Sequence, residues 1–469
     1  MKIDYQNRIT SERIESLNDN QVFVFGSNLA GNHAGGAAKL AVERFGAEMG
    51  NGVGMQGSSY AIPTMQGGPL TMERFVKDFI NYARCHKNLV FLVTKIGCGI
   101  AGFSVDDIAP LFYGAISIDN IYLPEEFWKY LTTHDRVIKS FKGFKPGLKC
   151  RNFQYEEGKE YEESGRIEAC SNGFHACPHP LDVFSYYPPG QSKYHEVEQS
   201  GIIDDSESDK ICSSKIKIGA EIGIPGLVRA AVEYVRSRCT NEHNAEPGKP
   251  VTAGDGEAAT VGENGAATAG ENGAATAGNY GAATAGYRGA ATAGENGAAT
   301  AGENGAATAG ENGAATAGYR GAATAGENGA ATAGNYGAAT AGYRGAATAG
   351  NYGAATAGNY GAATAGENGA ATAGNYGAAT AGNYGAATAG NYGAATSRGK
   401  SAVGAGGIAV VRGNDVMVKG GLGAVLVIVE ENRIGYNIKE WKAVVVDGDN
   451  IKADTWYRLV DGELVEVEE

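Results

Sequence analysis

The sequence predicts a multidomain chain: a three-layer α/β domain, a small α+β domain, and a β-solenoid of octapeptide repeats closed by a β-rich C-terminal cap. Three observations predict it. One phrase, Gly-Ala-Ala-Thr-Ala-Gly-x-x, recurs with its threonines at 252, 260, 268 and onward in steps of eight to Thr396. Before it, two strand-like runs each lead into a glycine-rich loop and then a helix-like segment. After it the phrase degenerates and bulky residues replace alanine. A fixed short period divides a chain before any other signal is read. The expected divisions are 1–132, 133–250, 251–398 and 399–469.

Totals set the outer bounds. The repeat supplies most of the 73 glycines of this 469-residue chain, and the remainder has a globular composition. A net charge of −13 weighs against bulk nucleic acid as a partner. It leaves room for a small anionic ligand held by backbone N–H groups. There is no apolar run of about 18 residues and no signal-peptide pattern after Met1, so no membrane partner is expected. Seven cysteines, an odd count with none in the repeat or tail, fit reduced thiols and a cytoplasmic location.

Gln21-Val-Phe-Val-Phe25 reads as a buried strand. It runs into a loop carrying Gly26, Ser27, Asn28, Gly31, His33, Gly35 and Gly36, and a helix is expected over 37–45. That layout aims backbone N–H groups and a helix start at an anion. Asn88–Thr94 is a second buried strand, followed by Gly97, Cys98, Gly99, Ile100, Ala101, Gly102 and Phe103. Ser104 reads as the N-cap of the next helix, with Asp107 in the capping-box position. Two such loops, each after a strand, can share one carboxyl edge of a sheet and clamp a diphosphate. His33 is open as a base or phosphate contact, Cys98 as a packed residue or nucleophile, and Asp106 as a helix-start charge.

The pair of loops resembles the macrodomain family, which binds ADP-ribose. Gly97-Cys-Gly-Ile-Ala-Gly-Phe103 matches that family's second loop closely, and Phe25 to Gly36 matches the first more loosely. The phrasing, including Ser59-Tyr-Ala-Ile-Pro-Thr64, is similar to macro-like proteins associated with phages and prophages. The resemblance covers roughly residues 18–130 and departs at Gly26-Ser27, where the family's strand end is alanine-rich. It implies ADP-ribose or an NAD-related nucleotide as ligand. Asn28 would contact a ribose hydroxyl and Phe103 would pack on a ribose or base. Any hydrolysis would proceed by water attack at the distal ribose beside Asn28.

Residues 133–250 read as short strands punctuated by Pro178, Pro180, Pro188 and Pro189, an acidic loop at 204–209, and an amphipathic helix over 224–238. Cys150-Arg-Asn-Phe-Gln-Tyr155, Gly173-Phe-His-Ala-Cys177 and Leu181-Asp-Val-Phe184 resemble a small uncharacterised domain of phage and gut-bacterial proteins. Its order of features is loosely similar to ADP-ribosyltransferase folds. Lys142, Tyr186 and Glu196 or Glu198 would then form an alternative transferase site. Cys170, His175, Cys177 and His179 are ligand types suited to zinc, but their spacing matches no common zinc motif and prolines interrupt the strand. No metal or resident cofactor is expected.

Within the octad, Ala-Ala-Thr-Ala is a four-residue strand and Gly-x-x-Gly a turn. Two octads per coil would give about nine coils, and three would give about six. Glu295, Glu303 and Glu311 would repel if stacked directly, which disfavours one octad per coil. Tyr-Arg pairs at 287, 319 and 343 show no preference for one side, so all turns are expected to be exposed. Ala402–Val429 reads as a capping β-unit, with Trp441 and Trp456 anchoring the last hairpins. The functional expectation is nucleotide binding, with or without hydrolysis, carried on a rod. The rod is open to self-association or a protein partner, and a purely structural or display role is the alternative.

Overall fold

The structure is a computed structural model that describes residues 5–164, 167, 171–205 and 209–468. Two compact units emerge: Met1–Ile138 with Ser237–Asn241, and Lys139–Arg236 with Glu242–Glu469.

The first unit is built on a five-stranded sheet. Its strands are β1 (Gln21–Ser27), β2 (Gly54–Gln56), β3 (Ser59–Pro63), β4 (Val90–Val93) and β5 (Ile121–Tyr122), in the order β2-β3-β1-β4-β5. All neighbours are parallel except β2 and β3. The apolar run of β1 is buried on both faces, as a central parallel strand requires. Phe23 and Phe25 meet Ala38 and Ala41 of α1 (Gly36–Arg44) on one side. Val22 and Val24 meet α2 (Glu73–Cys85) on the other, with Phe112, Phe127 and Trp128. The result is the expected three-layer α/β arrangement. The short α3 (Val105–Ile108) starts on the expected capping box, where Ser104 and Asp107 bond reciprocally. The last helix, α4, spans Glu125–Thr133.

The second unit joins two things the sequence separates. A small sheet runs β10-β12-β11-β6, with β9 also on β12. Its strands are β6 (Ile138–Phe144), β9 (Glu160–Glu162), β10 (Phe174–Ala176), β11 (Lys193–Asp204) and β12 (Ile211–Glu221). A hairpin of β7 (Lys149–Cys150) and β8 (Phe153–Gln154) leaves one edge. Of the expected acidic loop, Ser206, Glu207 and Ser208 lie outside the described residues. The amphipathic helix α5 (Gly223–Arg236) does not close a free-standing domain. Leu227, Val228 and Ala231 share one core with Ala306, Ala322 and Ala338 of the rod. An apolar helix face needs a partner surface, and the alanine side of the repeat supplies it.

The repeat is a β-solenoid of about 12 turns over residues 242–430. Its first strand, β13 (Glu242–Ala245), precedes the expected start at 251 and pairs in parallel with Ala258–Val261. Ala258 pairs with Ala274, sixteen residues on, so each coil holds two octads. Ala267 and Ala269 point inward while Ala266 and Thr268 point out. Apart from Val261 near its start, the repeat's interior is therefore alanine, and the two sheets approach closely. Glycine at the strand edge is obligatory. A Cβ on Gly273 would lie 2.8 Å from the Glu257 carbonyl oxygen and 2.9 Å from the Ala269 Cβ. Turns are stitched between coils. Asn335 Oδ1 accepts from Asn351 N–H at 2.9 Å, and Tyr336 stacks on Tyr352 at 4.9 Å.

One expectation about the turns and one about the cap need correction. Coils hold two octads rather than one, in keeping with the row of Glu295, Glu303 and Glu311. With sixteen residues per coil, Glu295, Glu311 and Glu327 occupy successive turns of one edge, with their side chains in solvent where the repulsion is weak. The Tyr-Arg turns are not all alike. Arg288 is partly buried and donates to both carboxylate oxygens of Asp182 at 3.0 Å. In the cap, Val403, Val411, Val418, Leu426 and Ile428 replace alanine in the core. Parallel rungs give way to antiparallel pairing of 438–445 on 425–431 and to a hairpin of 456–460 with 463–467. Tyr457, 2% exposed, anchors that hairpin beside the partly buried Trp456, whose ring lies 4.8 Å from Lys419 Nζ, whereas Trp441 is 66% exposed.

Candidate functional site

Strand order alone marks one place in the first unit. From β1 the chain crosses through α1 to β3 on one side, then returns through α2 to β4 on the other. The loops after β1 and β4 therefore leave adjacent carboxyl ends toward opposite faces and open a crevice between them. That is where open α/β sheets take ligands. Both glycine loops meet there. A Cβ on Gly35 or Gly36 would lie 3.6 or 3.8 Å from Ile100 Cδ1 of the second loop. Ile100 itself is 78% exposed. Among the described residues, nothing accepts from the N–H groups of Gly99, Ile100 and Ala101. A cavity of about 810 Å³ opens beside this point, lined by Gly36, Ala37, Thr94, Lys95 and the 9–15 segment.

The first loop is less available than its composition suggests. Asn28 Oδ1 accepts from Asn32 N–H at 3.0 Å, closing the loop on itself. His33 is 2% exposed, with Nε2 2.9 Å from the Asn51 carbonyl and its ring against Phe25. Ser27 Oγ donates to the Gly52 carbonyl. A Cβ on Gly31 would fall 2.2 Å from Asn51 N, so that glycine serves a close chain crossing rather than a ligand. Gly26 is likewise packed against Thr64. Asn28 is thus closed on its own loop, and His33 lies buried under the loop 50–52 with Nδ1 unpartnered among the described residues, a covering that its sequence neighbourhood does not signal. In the second loop Gly97 turns with φ +76° against Ile108. Cys98 is half-buried with its thiol pushed up by burial, the setting of a packed residue. Phe103 packs on the main core, while Gly99, Ala101 and Gly102 stay at the crevice.

The second unit holds a separate cavity of about 870 Å³ among β6, β10 and the β7–β8 hairpin. Lys142 and Tyr186 both line it. Glu196 and Glu198 do not. They face Lys139 at 4.0 Å and Lys217 at 3.5 Å respectively. The transferase constellation is therefore not assembled, because both glutamates project from β11 away from the cavity. Of the zinc ligand types, Cys170 lies outside the described residues. Cys177 belongs to the core with Phe141 and Leu181, and burial pushes its thiol far up. His179 is buried against Tyr234 and Asp182. Among the described residues no three metal-ligand types converge, and the six described cysteines are free thiols. No described helix is long and apolar enough to cross a membrane.

A family model described as a domain of unknown function (DUF7666) matches residues 138–230, the stretch from β6 into α5 that builds this second cavity. No curated protein and no solved structure matches the chain.

Proposed function

We propose that the first unit binds a diphosphate-bearing nucleotide of the ADP-ribose class in the crevice between β1 and β4. The observation that carries this is the meeting of two glycine loops over the carboxyl ends of adjacent strands at the point where strand order reverses. The unpaired N–H groups of 99–101 and the start of α1 supply donors for phosphate oxygens without side-chain charge. Exposed Ile100 offers an apolar contact to a ribose or base. With Asn28 closed on its own loop and His33 buried, the reading is binding rather than turnover.

Isothermal titration of the intact chain with ADP-ribose tests it, with Gly99→Asp as the matched variant. A Cβ at Gly99 meets nothing within 4 Å, so the change adds a carboxylate without disturbing the fold. Binding by the parent, weakened about tenfold or more in the variant by like-charge repulsion, is expected. No heat from ADP-ribose, or equal binding by both chains, contradicts the proposal. The display reading draws on one observation: strands such as 314–317 present their threonines and outer alanines to solvent in an even row.

A further inference from the structure

We propose that the cavity of the second unit is a binding site for a small organic anion carrying a planar ring, an aryl or heteroaryl phosphate or carboxylate. The inference rests on the second unit alone and stands or falls independently of the nucleotide reading.

The charge pattern comes first. The chain carries a net −13, yet among the described residues this cavity is lined by Lys142, Lys145, Arg151 and Lys210 against the carboxylate of Glu163, with Asp209 accepting from the Tyr186 hydroxyl at 2.7 Å. Lys142 is the telling member. It is 5% exposed, and its Nζ donates to the His175 carbonyl at 2.7 Å. Beyond that it meets only the rings of Phe144 and Tyr155, at 5.7 and 5.9 Å. Among the described residues no carboxylate pairs with it, and two of its three N–H donors have no acceptor. A buried ammonium without a counter-charge is costly. As a core filler, methionine of similar length would serve better.

The walls suit a flat ring. Tyr187 lies hard against β6, where a Cβ on Gly143 would come within 2.4 Å of its ring and Cβ. Its hydroxyl is fixed 2.8 Å from Cys150 Sγ. Phe153 and Tyr186, 47% and 42% exposed, stand at the mouth as apolar lips. Arg151 opens the two-residue turn between β7 and β8, where its φ of +52° belongs to the tight hairpin, and it lines the same space. An anion between Lys142 and Arg151, with its ring among Tyr155, Tyr187 and Phe153, would give the Lys142 ammonium both an acceptor and a counter-charge. Burial lowers the Lys142 ammonium from its usual range, and a bound anion would favour its charged form.

Pyridoxal phosphate is a direct probe on the intact chain, because it combines a ring, a phosphate and an amine-reactive aldehyde. The Lys142 amine would add to the aldehyde carbon and lose water to give an imine. Borohydride then delivers hydride to that carbon and leaves a stable secondary amine for peptide mapping. The expected result is preferential labelling of Lys142, although exposed lysines outnumber it. Phenyl phosphate and benzoate, added separately as competitors, tell phosphate from carboxylate preference. Labelling spread over exposed lysines with Lys142 unmodified would overturn the proposal. Arg151→Gln should cut labelling of Lys142 about tenfold with the melting temperature unchanged, and unchanged labelling counts against the site. Lys142→Met should raise the melting temperature without ligand, since it removes an unpaired buried charge. A lower melting temperature would make Lys142 a structural residue and end the proposal.

Discussion

Asp182 shows how one repeat turn acquires a private function. Its carboxylate is nearly fully buried beside His179 and takes two bonds from Arg288. Burial outweighs the arginine and pushes it up to about 6, with Asp209 raising it further and Arg320 opposing. An unfolded aspartate titrates near 3.9, so between those values the folded chain binds the extra proton. The stability this group confers is complete below about pH 4 and falls as pH rises through about 6. Arg288→Ala removes the group that donates both hydrogen bonds to the ionised form. The variant should match the parent near pH 4 and lose about 2–3 kcal/mol at pH 7.5, read by denaturant unfolding. Equal stability at both values would show the pair to be incidental. The sequence displays Tyr287-Arg288 as one spelling among three. Nothing local to the repeat says that Asp182, over a hundred residues earlier, sits beside it.

Elements were legible where period and capping decide them. Four-residue strands, glycine turns, the Ser104–Asp107 cap and the amphipathic α5 follow from spacing alone. What spacing could not say is which side of the rod α5 covers, because every octad has the same alanines. Coverage splits the repeat into two kinds of strand. Ala322 is fully buried under the helix, whereas Ala314, at the same octad position on the opposite sheet, is exposed. Ala322→Lys should therefore cost about 2–3 kcal/mol by forcing a charge into that seam. Ala314→Lys should change stability by less than about 0.5 kcal/mol. Melting curves of the two variants check this, and equal effects would mean that α5 does not cover the 322 side.

Taken whole, the chain places a crevice edged by two glycine loops in one unit and a basic, aromatic cavity in the other. Both were half-visible beforehand. Periodicity gave the two glycine loops, and strand order then supplied the reason they converge. Lys142 and Tyr186 were singled out by a loose resemblance, but their sharing one cavity with Arg151 and Tyr187 depends on a hairpin that no periodicity announces. His33 misled because a loop histidine reads as exposed until the 50–52 crossing is known to cover it. Amide hydrogen exchange on the intact chain, with and without ADP-ribose, reports on both places at once. Slowed exchange confined to 26–37 and 97–103 is the expected outcome. No change in those loops, or protection appearing only over 141–187, would contradict nucleotide binding at the β1–β4 crevice.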